Sequence, residues 1–200
     1  MIKTVIFDIG NVLTSFSWQK HFYSFGYPAD IAERLGKATV LSPQWCEYDL
    51  GNLSDDEILE LFIKNDPEIE AQLRHSLKDV HGILERCDYA IPWIKELKEK
   101  GYQVLFLSNF SSKVLRECAH VMDFLPYMDG GVFSFKVHMI KPDACIYEEI
   151  LKQYHLIAGE CVFIDDTLPN ITAAKNLGIH GIHFKNREQA ITELEALGVK

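Results

Sequence analysis

The sequence predicts an α/β protein in which helices cover both faces of a parallel sheet, with a small helical domain inserted near the N-terminus. Two observations carry this prediction. Short apolar runs alternate with helical segments along most of the 200 residues, and this order is typical of a doubly wound parallel sheet. One stretch, residues 16–87, breaks the alternation because its patterns are helical with no strand between them.

The core strands are predicted from runs of β-branched, aliphatic and aromatic residues that are bounded by polar or turn residues. Four runs have this character, and a shorter fifth run resembles them: Thr4–Phe7, Gln103–Leu107, Cys161–Ile164, Ile179–Phe184 and Gly131–Phe133. Two of the intervening helical segments end at glycine, which suits the left-handed position after a helix. They are Pro92–Lys100 before Gly101 and Pro169–Leu177 before Gly178.

The inserted stretch contains its own helix-start signals. Ser54 is followed three residues later by Glu57, a capping box ahead of an apolar run, and Asp66-Pro67 opens a second helix. We therefore expect a core domain of residues 1–15 and 88–200 and a helical cap domain of residues 16–87. Such a cap would close over the carboxyl ends of the strands, where open α/β sheets bind ligands.

Composition narrows the classes of partner. The net charge of -9 argues against nucleic acid, because binding to a phosphate backbone relies on a basic face. The five cysteines are widely spaced without a C-x-x-C pair, which favours reduced thiols over a disulfide framework or a zinc site. No apolar run approaches the length of a membrane span. We expect a cytoplasmic protein without a membrane partner, and its state as monomer or homodimer stays open.

Polar residues follow two of the core strands directly. Asp8 comes after Val5-Ile-Phe7, where a buried strand ends, and Ser108-Asn109 follows Val104-Leu-Phe-Leu107 in the same way. A carboxylate in this position either satisfies turn amides or acts chemically. The Ser-Asn pair either holds phosphoryl oxygens or belongs to the start of the next helix.

Two further elements carry charge at comparable places. Lys141-Pro142 precedes a helical segment, and its lysine is either an exposed turn residue or a point charge beside a carboxylate. Asp165-Asp166 follows Cys161-Val-Phe-Ile164, and the two carboxylates repel each other unless a cation is bound between them. Magnesium accepts one or two carboxylates together with water and substrate phosphate. Turn and helix-capping roles are the alternative for this pair.

These four elements, taken together, resemble the motifs of the haloacid dehalogenase superfamily. They appear here as Asp8-Ile-Gly-Asn-Val12, Ser108-Asn109, Lys141-Pro142 and Ile164-Asp-Asp-Thr-Leu-Pro-Asn170. The resemblance spans essentially the whole chain, including the position of the cap. More narrowly, the segments F-D-I-G-N-V-L, L-S-N and K-P-D-x-x-I-Y-E look like those of the bacterial α-D-glucose-1-phosphate phosphatase subgroup.

The resemblance implies a mechanism and a cofactor. Asp8 would be the nucleophile that forms an aspartyl-phosphate, Ser108 and Asn109 would bind the transferred phosphoryl group, and Lys141 would screen its charge. Mg²⁺ would be held by Asp8, the Gly10 carbonyl and Asp166, with Asp165 beside or just behind them. The expected substrate is a small phosphomonoester, with a sugar phosphate such as glucose 1-phosphate favoured.

The sequence departs from the usual family pattern at Gly10. Most phosphatases of this family carry an aspartate at that position, which acts as general acid and then as base. The missing acid leaves open a catalytically weak sugar-phosphate-binding protein. A second alternative, a metal-independent dehalogenase-type hydrolase, would use the same nucleophile without magnesium. His138, where the resemblance leads us to expect glycine, either faces the site or fills a loop. An aromatic group at the start of the cap either packs or contacts a sugar: Trp18, Phe22, Tyr23, Phe25 and Tyr27.

Overall fold

The computed structural model describes residues 1–200 as seven strands and eleven α-helices. The strands are β1 (Thr4–Phe7), β2 (Thr14–Phe16), β3 (Leu84–Arg86), β4 (Gln103–Ser108), β5 (Gly130–Phe133), β6 (Cys161–Asp165) and β7 (His180–His183). The helices are α1 (Trp18–Ser24), α2 (Ala29–Ala38), α3 (Trp45–Leu50), α4 (Asp55–Asn65), α5 (Glu70–Ser76), α6 (Ala90–Glu99), α7 (Ser112–Glu117), α8 (Ser134–Val137), α9 (Ala144–Gln153), α10 (Leu168–Asn176) and α11 (Arg187–Ala196).

The core sheet has five parallel strands in the order β5-β4-β1-β6-β7. Side chains of a strand alternate between the two faces of the sheet, and β1 accordingly contributes Val5 and Phe7 to one apolar cluster and Ile6 to another. Helices α6 and α11 bury residues in the first cluster, and α9 and α10 do so in the second. The predicted doubly wound α/β fold is confirmed.

Strand register brings the polar residues predicted from sequence to one edge of the sheet. Phe7, the last residue of β1, pairs with Phe106 in β4 and with Ile164 in β6. The backbone N–H of Asp8 continues this pattern by donating to the Ile164 carbonyl at 2.8 Å. Because the strands are parallel, the residues that follow all three of them emerge at the same carboxyl edge.

The segment between β2 and β3 forms helices α1 to α5, which share an apolar cluster separate from those of the sheet. The capping box is present at the start of α4, because Ser54 Oγ accepts from the Glu57 N–H at 3.3 Å and the Glu57 carboxylate accepts from the Ser54 N–H at 2.9 Å. Strands β2 and β3 pair antiparallel where the chain leaves and re-enters the core. The domain boundaries at residues 15/16 and 87/88 stay a prediction. The two-stranded sheet of β2 and β3 lies next to both of them.

Two details differ from the sequence-based expectation. The stretch expected to lack strands contains β3, whose three residues are too few to show an alternating pattern. The helix expected after Asp66 begins with a 3₁₀ turn over Pro67–Ile69 before α5.

None of the helices has both the length and the apolar composition that a membrane-crossing segment requires.

Candidate active site

Asp8 lies at the carboxyl end of β1, and one of its oxygens is held by two neighbouring elements. Ser108 Oγ, at the end of β4, donates to Oδ1 at 2.7 Å, and Lys141 Nζ lies 2.9 Å from the same atom. Oδ2 receives no hydrogen bond from the protein. Burial raises the pKa of this carboxyl to about 6, and the Lys141 ammonium opposes that shift. Asp8 is therefore mostly ionised at neutral pH, and its Oδ2 is free of hydrogen bonds from the protein.

Lys141 is a buried cation that joins two carboxylates. Its side chain is about as inaccessible as any apolar core residue, with 4% of the residue exposed, and Nζ lies 2.6 Å from Asp165 Oδ2 in addition to its contact with Asp8. Burial by itself lowers the pKa of an ammonium, but the fields of Asp8 and Asp165 outweigh it and raise the pKa of Lys141. Lys141 is thus a permanent positive charge inside the site rather than an exposed turn residue.

Asp165 and Asp166 have different environments although they are neighbours in sequence. Asp165 is 0% exposed and accepts from Lys141 Nζ, from the Thr167 N–H at 2.7 Å and from Asn170 Nδ2 at 3.0 and 3.1 Å. Both of its oxygens are therefore engaged by the protein. Asp166 is half-buried and lines the cavity described below. Alternate residues point to opposite sides of an extended chain, which explains why one carboxylate is structural and the other is accessible.

Asn109 connects two of the loops that build the site. Its Nδ2 donates to the Lys141 carbonyl at 3.0 Å, and its Oδ1 accepts from the Lys141 N–H at 2.8 Å. These two hydrogen bonds to the backbone of Lys141 hold the loop that carries the lysine against the end of β4. Asn109 also lines the cavity, and its Nδ2 donates no hydrogen bond within the protein other than the one to Lys141.

Gly10 and Asn11 form the turn after Asp8. A Cβ built on Gly10 meets no atom within 4 Å, so the space beside this backbone is open to the cavity. Asn11 has a left-handed φ of 55°, and its Nδ2 donates to Asp166 Oδ2 at 3.0 Å while its Oδ1 accepts from the Phe16 N–H at 3.1 Å. Sequence reasoning assigned no role to Asn11. A signal was available, because asparagine is enriched at left-handed turn positions.

The cavity at this edge has a volume of about 170 Å³ and lies between the core loops and the cap. Its polar lining comes mainly from the core and includes Asp8, Ser108, Asn109 and Asp166. Its apolar lining comes from both domains and consists of Phe16, Trp45, Leu84, Phe110 and Val114. Asp49 of α3 also lines it. The polar part of the lining suits a charged group of about the size of a phosphoryl group. The apolar part suits an uncharged portion of the same ligand.

Sequence reasoning missed Asp49, although a signal existed. Trp45, Tyr48 and Asp49 are spaced i, i+3, i+4, so Asp49 falls on the inward face of α3 where an apolar residue is expected.

His138 fills a loop and does not line the cavity. Its Nδ1 lies 3.0 Å from the Leu50 carbonyl, a contact that links the core to the cap.

The aromatic group at the start of the cap packs rather than facing the cavity. Phe22 is buried in the cap cluster, with Trp18 and Tyr27 packed against that cluster, and none of the five residues from Trp18 to Tyr27 lines the cavity. The aromatic residues that do line it are Phe16, Trp45 and Phe110. Sugar contact by the Trp18–Tyr27 group is therefore not supported, because Phe22 is buried within the cap cluster and the exposed Tyr23 does not line the cavity.

The donor set at the sheet edge fits a hard dication. Oxygen atoms of Asp8, Asp165 and Asp166 lie within 4.8 Å of one another. The site holds three carboxyl groups and one lysine, an excess of two acidic groups, and carboxylate oxygen is a ligand that Mg²⁺ prefers. Because the protein already saturates Asp165, the oxygens available to an ion are those of Asp8 and Asp166.

A parallel α/β core that presents a carboxylate, a hydroxyl, a lysine and an acidic pair together at one edge is the arrangement expected of a hydrolase. A family model described as haloacid dehalogenase-like hydrolase matches residues 2–178, and the chain belongs to that family. The resemblance drawn from the four motifs is confirmed at this level.

Relatives and solved structures agree with this assignment. The chain is 27% identical over 198 residues to a sesquiterpene phosphatase of Aspergillus oryzae, covering 98% of this chain and 96% of the relative. It is 28% identical over 199 residues to a D-ribitol-5-phosphate phosphatase of Bacteroides thetaiotaomicron, covering 93% of both. A haloacid dehalogenase family enzyme of that bacterium, crystallised with magnesium and inorganic phosphate, has the same fold with a TM-score of 0.71 and 21% identity, covering 92% of this chain and 95% of the other.

Proposed function

We propose that this protein is a Mg²⁺-dependent phosphomonoesterase that acts on a small phosphorylated metabolite through an aspartyl-phosphate on Asp8. The observation that carries the proposal is the convergence of Asp8, Lys141 and the Asp165-Asp166 pair at one edge of the sheet, where Asp8 and Asp166 line the cavity. Two relatives similar over nearly the whole chain are phosphatases by name. The acidic surplus at the sheet edge favours a metal-dependent enzyme over the metal-independent dehalogenase alternative.

The residues of the site divide the chemistry between them. Asp8 Oδ2, which has no protein partner, attacks phosphorus while Oδ1 is held by Ser108 and Lys141. Lys141 remains protonated and neutralises the incoming phosphoryl group, and Ser108 and Asn109 supply neutral donors to its oxygens. Asp8, the Gly10 carbonyl and Asp166 would hold the metal, with Asp165 behind them to orient Lys141. When bound, Mg²⁺ supplies further charge stabilisation to the equatorial oxygens.

The cavity lining supports a monophosphate with an uncharged leaving group. No lysine or arginine lines the cavity, so a second phosphate or a carboxylate on the leaving group would lie among apolar side chains without a counter-charge. A sugar or polyol presents both hydroxyl and C–H surfaces, which suit a lining of mixed polarity that includes Phe16 and Trp45. We propose sugar phosphates, with glucose 1-phosphate as the reference compound.

A phosphate-release screen tests the proposal. Purified protein is incubated with sugar phosphates, nucleotides and flavin mononucleotide, each with Mg²⁺ or with EDTA, and with L-2-chloropropionate as a dehalogenase control. We expect phosphate release from sugar phosphates that depends on Mg²⁺. Halide release that persists in EDTA would replace the phosphatase with the dehalogenase alternative, and tight sugar-phosphate binding without turnover would replace it with a binding protein.

A further inference from the structure

Asp49 is a cap residue whose carboxyl group reaches the active-site cavity without a bonding partner. It is the penultimate residue of α3, it is 8% exposed, and it lines the cavity together with Asp8 and Asp166. No hydrogen bond or ion pair within the protein involves its side chain. Neither carboxyl oxygen belongs to the fully buried side-chain atoms that lack a partner, so both remain accessible, and the residue lines the cavity. The carboxyl group of Asp49 is therefore available to a ligand in the cavity.

The core holds this residue in place through its backbone. Ser134 Oγ donates to the Asp49 carbonyl at 2.6 Å, and the His138 ring bonds the next carbonyl, that of Leu50, at 3.0 Å. Gly51 then takes a left-handed φ of 68°, and a Cβ at that position would lie 2.7 Å from Phe135 Cβ. These contacts with α8 and the residue that follows it dock the end of α3 closely against the core. The side chain of Asp49 is thus fixed relative to the sheet edge although it belongs to the cap.

The cavity contains no other free acid for proton transfer. Three of its lining residues are carboxylic acids, and Asp8 and Asp166 already serve as nucleophile and metal ligand in the proposed function. Position 10 carries no side chain, and the space beside it is open. Asp49 approaches from the cap, whereas Asp8 approaches from the core. In an in-line displacement the attacking and leaving oxygens lie on opposite sides of phosphorus, so with Asp8 attacking from the core the leaving group would point toward the cap, the domain to which Asp49 belongs.

The ionisation of Asp49 agrees with that position. Burial raises the pKa of its carboxyl to about 8, with Lys141 opposing the shift and Asp8 adding to it. The group is therefore mostly protonated at neutral pH and can donate a proton. Other titratable groups on the elements packed against α3 are Lys136 on α8, His138 directly after it, and Asp55 at the start of α4.

We infer that Asp49 is the general acid and base of this hydrolase, acting from the cap in place of a side chain at position 10. The inference rests on the proposed phosphatase function. In the first half-reaction the Asp8 oxygen bonds to phosphorus, the bond from phosphorus to the ester oxygen breaks, and the Asp49 proton moves to that oxygen, releasing the alcohol. In the second, water attacks phosphorus from the same side and transfers one proton to the Asp49 carboxylate. The Asp8–phosphorus bond breaks, leaving hydrogen phosphate and both side chains as they began.

Asp49→Asn, with Glu47→Gln as its matched control, tests the inference in the full-length protein with Mg²⁺. Glu47 is an exposed acid on the same helix, and both variants exchange a carboxyl for its amide. We expect kcat on glucose 1-phosphate to fall roughly 10²- to 10⁴-fold in Asp49→Asn, the usual contribution of general acid–base assistance, and to stay unchanged in Glu47→Gln. With p-nitrophenyl phosphate, rapid quench should show a burst near one equivalent of nitrophenol in Asp49→Asn, because the intermediate forms without an acid but hydrolyses slowly without a base.

A pH profile separates a chemical role from a structural one. Wild type and Glu47→Gln should lose kcat at alkaline pH as Asp49 loses its proton, and Asp49→Asn should lack that limb. Because an amide matches a neutral carboxyl in shape, thermal unfolding should show a folded variant. A kcat for Asp49→Asn within threefold of wild type, no burst, and an unchanged alkaline limb would overturn the inference while leaving the phosphatase function intact. If wild type and Glu47→Gln release no phosphate from any monoester, the proposed function itself is wrong, and this inference ends with it.

Discussion

The core and the cap bring carboxyl groups to the same cavity in opposite ways. On the core side, Asp8 and Asp165 share Lys141, and Asp166 accepts from Asn11. On the cap side, Asp49 is 8% exposed, and its side chain has no hydrogen bond or ion pair within the protein. The first arrangement fixes the orientation of the carboxyl groups through hydrogen bonds and ion pairs. The second keeps a carboxyl neutral and able to exchange a proton.

This difference separates two tasks that phosphate-ester hydrolysis requires. Charged, oriented carboxylates suit nucleophilic attack and metal binding, whereas a neutral acid with a raised pKa suits proton transfer. The cap also contributes much of the apolar lining, including Trp45. We therefore expect changes on the core side to affect all substrates alike and changes on the cap side to discriminate among leaving groups.

The largest expected effect is on the core side. Asp8→Asn should reduce turnover roughly 10⁴- to 10⁶-fold, as removal of a covalent nucleophile usually does, for aryl and sugar phosphates equally. The amide preserves shape, so the circular dichroism spectrum and melting temperature should stay close to wild type. Activity above a trace in a preparation free of wild-type protein would end the covalent proposal.

Asp166→Ala should show the next largest effect, a loss of roughly 10²- to 10³-fold in kcat/KM, because a metal site built on few protein carboxylates loses one of them. Residual activity should no longer respond to added Mg²⁺. Asp30→Ala, an exposed aspartate in the first turn of α2, is the control and should keep the wild-type magnesium response. A magnesium-soaked crystal with the ion elsewhere than between Asp8 and Asp166 would contradict the assignment.

Moving the acid from the cap to the core sharpens the comparison further. Gly10→Asp introduces a Cβ that meets no atom within 4 Å, so the loop should tolerate it. In the Asp49→Asn background we expect this change to restore kcat at least tenfold, within the usual range of acid–base assistance. Gly10→Asn in the same background is the matched control. Equal rates for the aspartate and asparagine variants would show that a carboxyl at position 10 does not reach the leaving oxygen.

Trp45→Ala tests whether the cap surface selects the leaving group. Loss of an apolar contact of this size is worth about 1–2 kcal/mol, so kcat/KM for glucose 1-phosphate should fall roughly tenfold relative to that for acetyl phosphate. Trp18→Ala is the control, because Trp18 is a cap tryptophan of similar partial burial that does not line the cavity. An equal fall in kcat/KM for both substrates would count against a selectivity role for Trp45.

The smallest expected effect concerns stability and pH. The folded-state pKa of Asp49 is raised to about 8 by burial, opposed by Lys141, so wild-type stability falls as pH rises from about 4, where the unfolded carboxyl ionises, to about 8. Asn at this position does not titrate. Asp49→Asn should therefore melt close to wild type at pH 5 and a few degrees higher at pH 9, whereas Glu47→Gln should show no such divergence. A constant difference at both pH values would mean that Asp49 is ionised in the folded protein throughout.

The alternation of strands and helices, the five core strands to within two residues at their ends, and the capping box at Ser54 were all determined by local sequence. Each depends on periodicity or on contacts within four residues, and both are visible along the chain. Asp8, Ser108, Lys141 and Asp165-Asp166 were likewise recognisable, because parallel strands place whatever follows them at a shared edge.

Tertiary structure alone decided what each of those groups does. The adjacent residues Asp165 and Asp166 are alike in sequence, and only the positions of Lys141 and Asn170 make one saturated and the other accessible. Asp49 is an ordinary helical aspartate until Ser134 and His138, 85 or more residues away in sequence, dock its helix over the sheet edge. Burial and the loss of partners arise from packing between distant segments, and it is burial that gives this carboxyl its raised pKa.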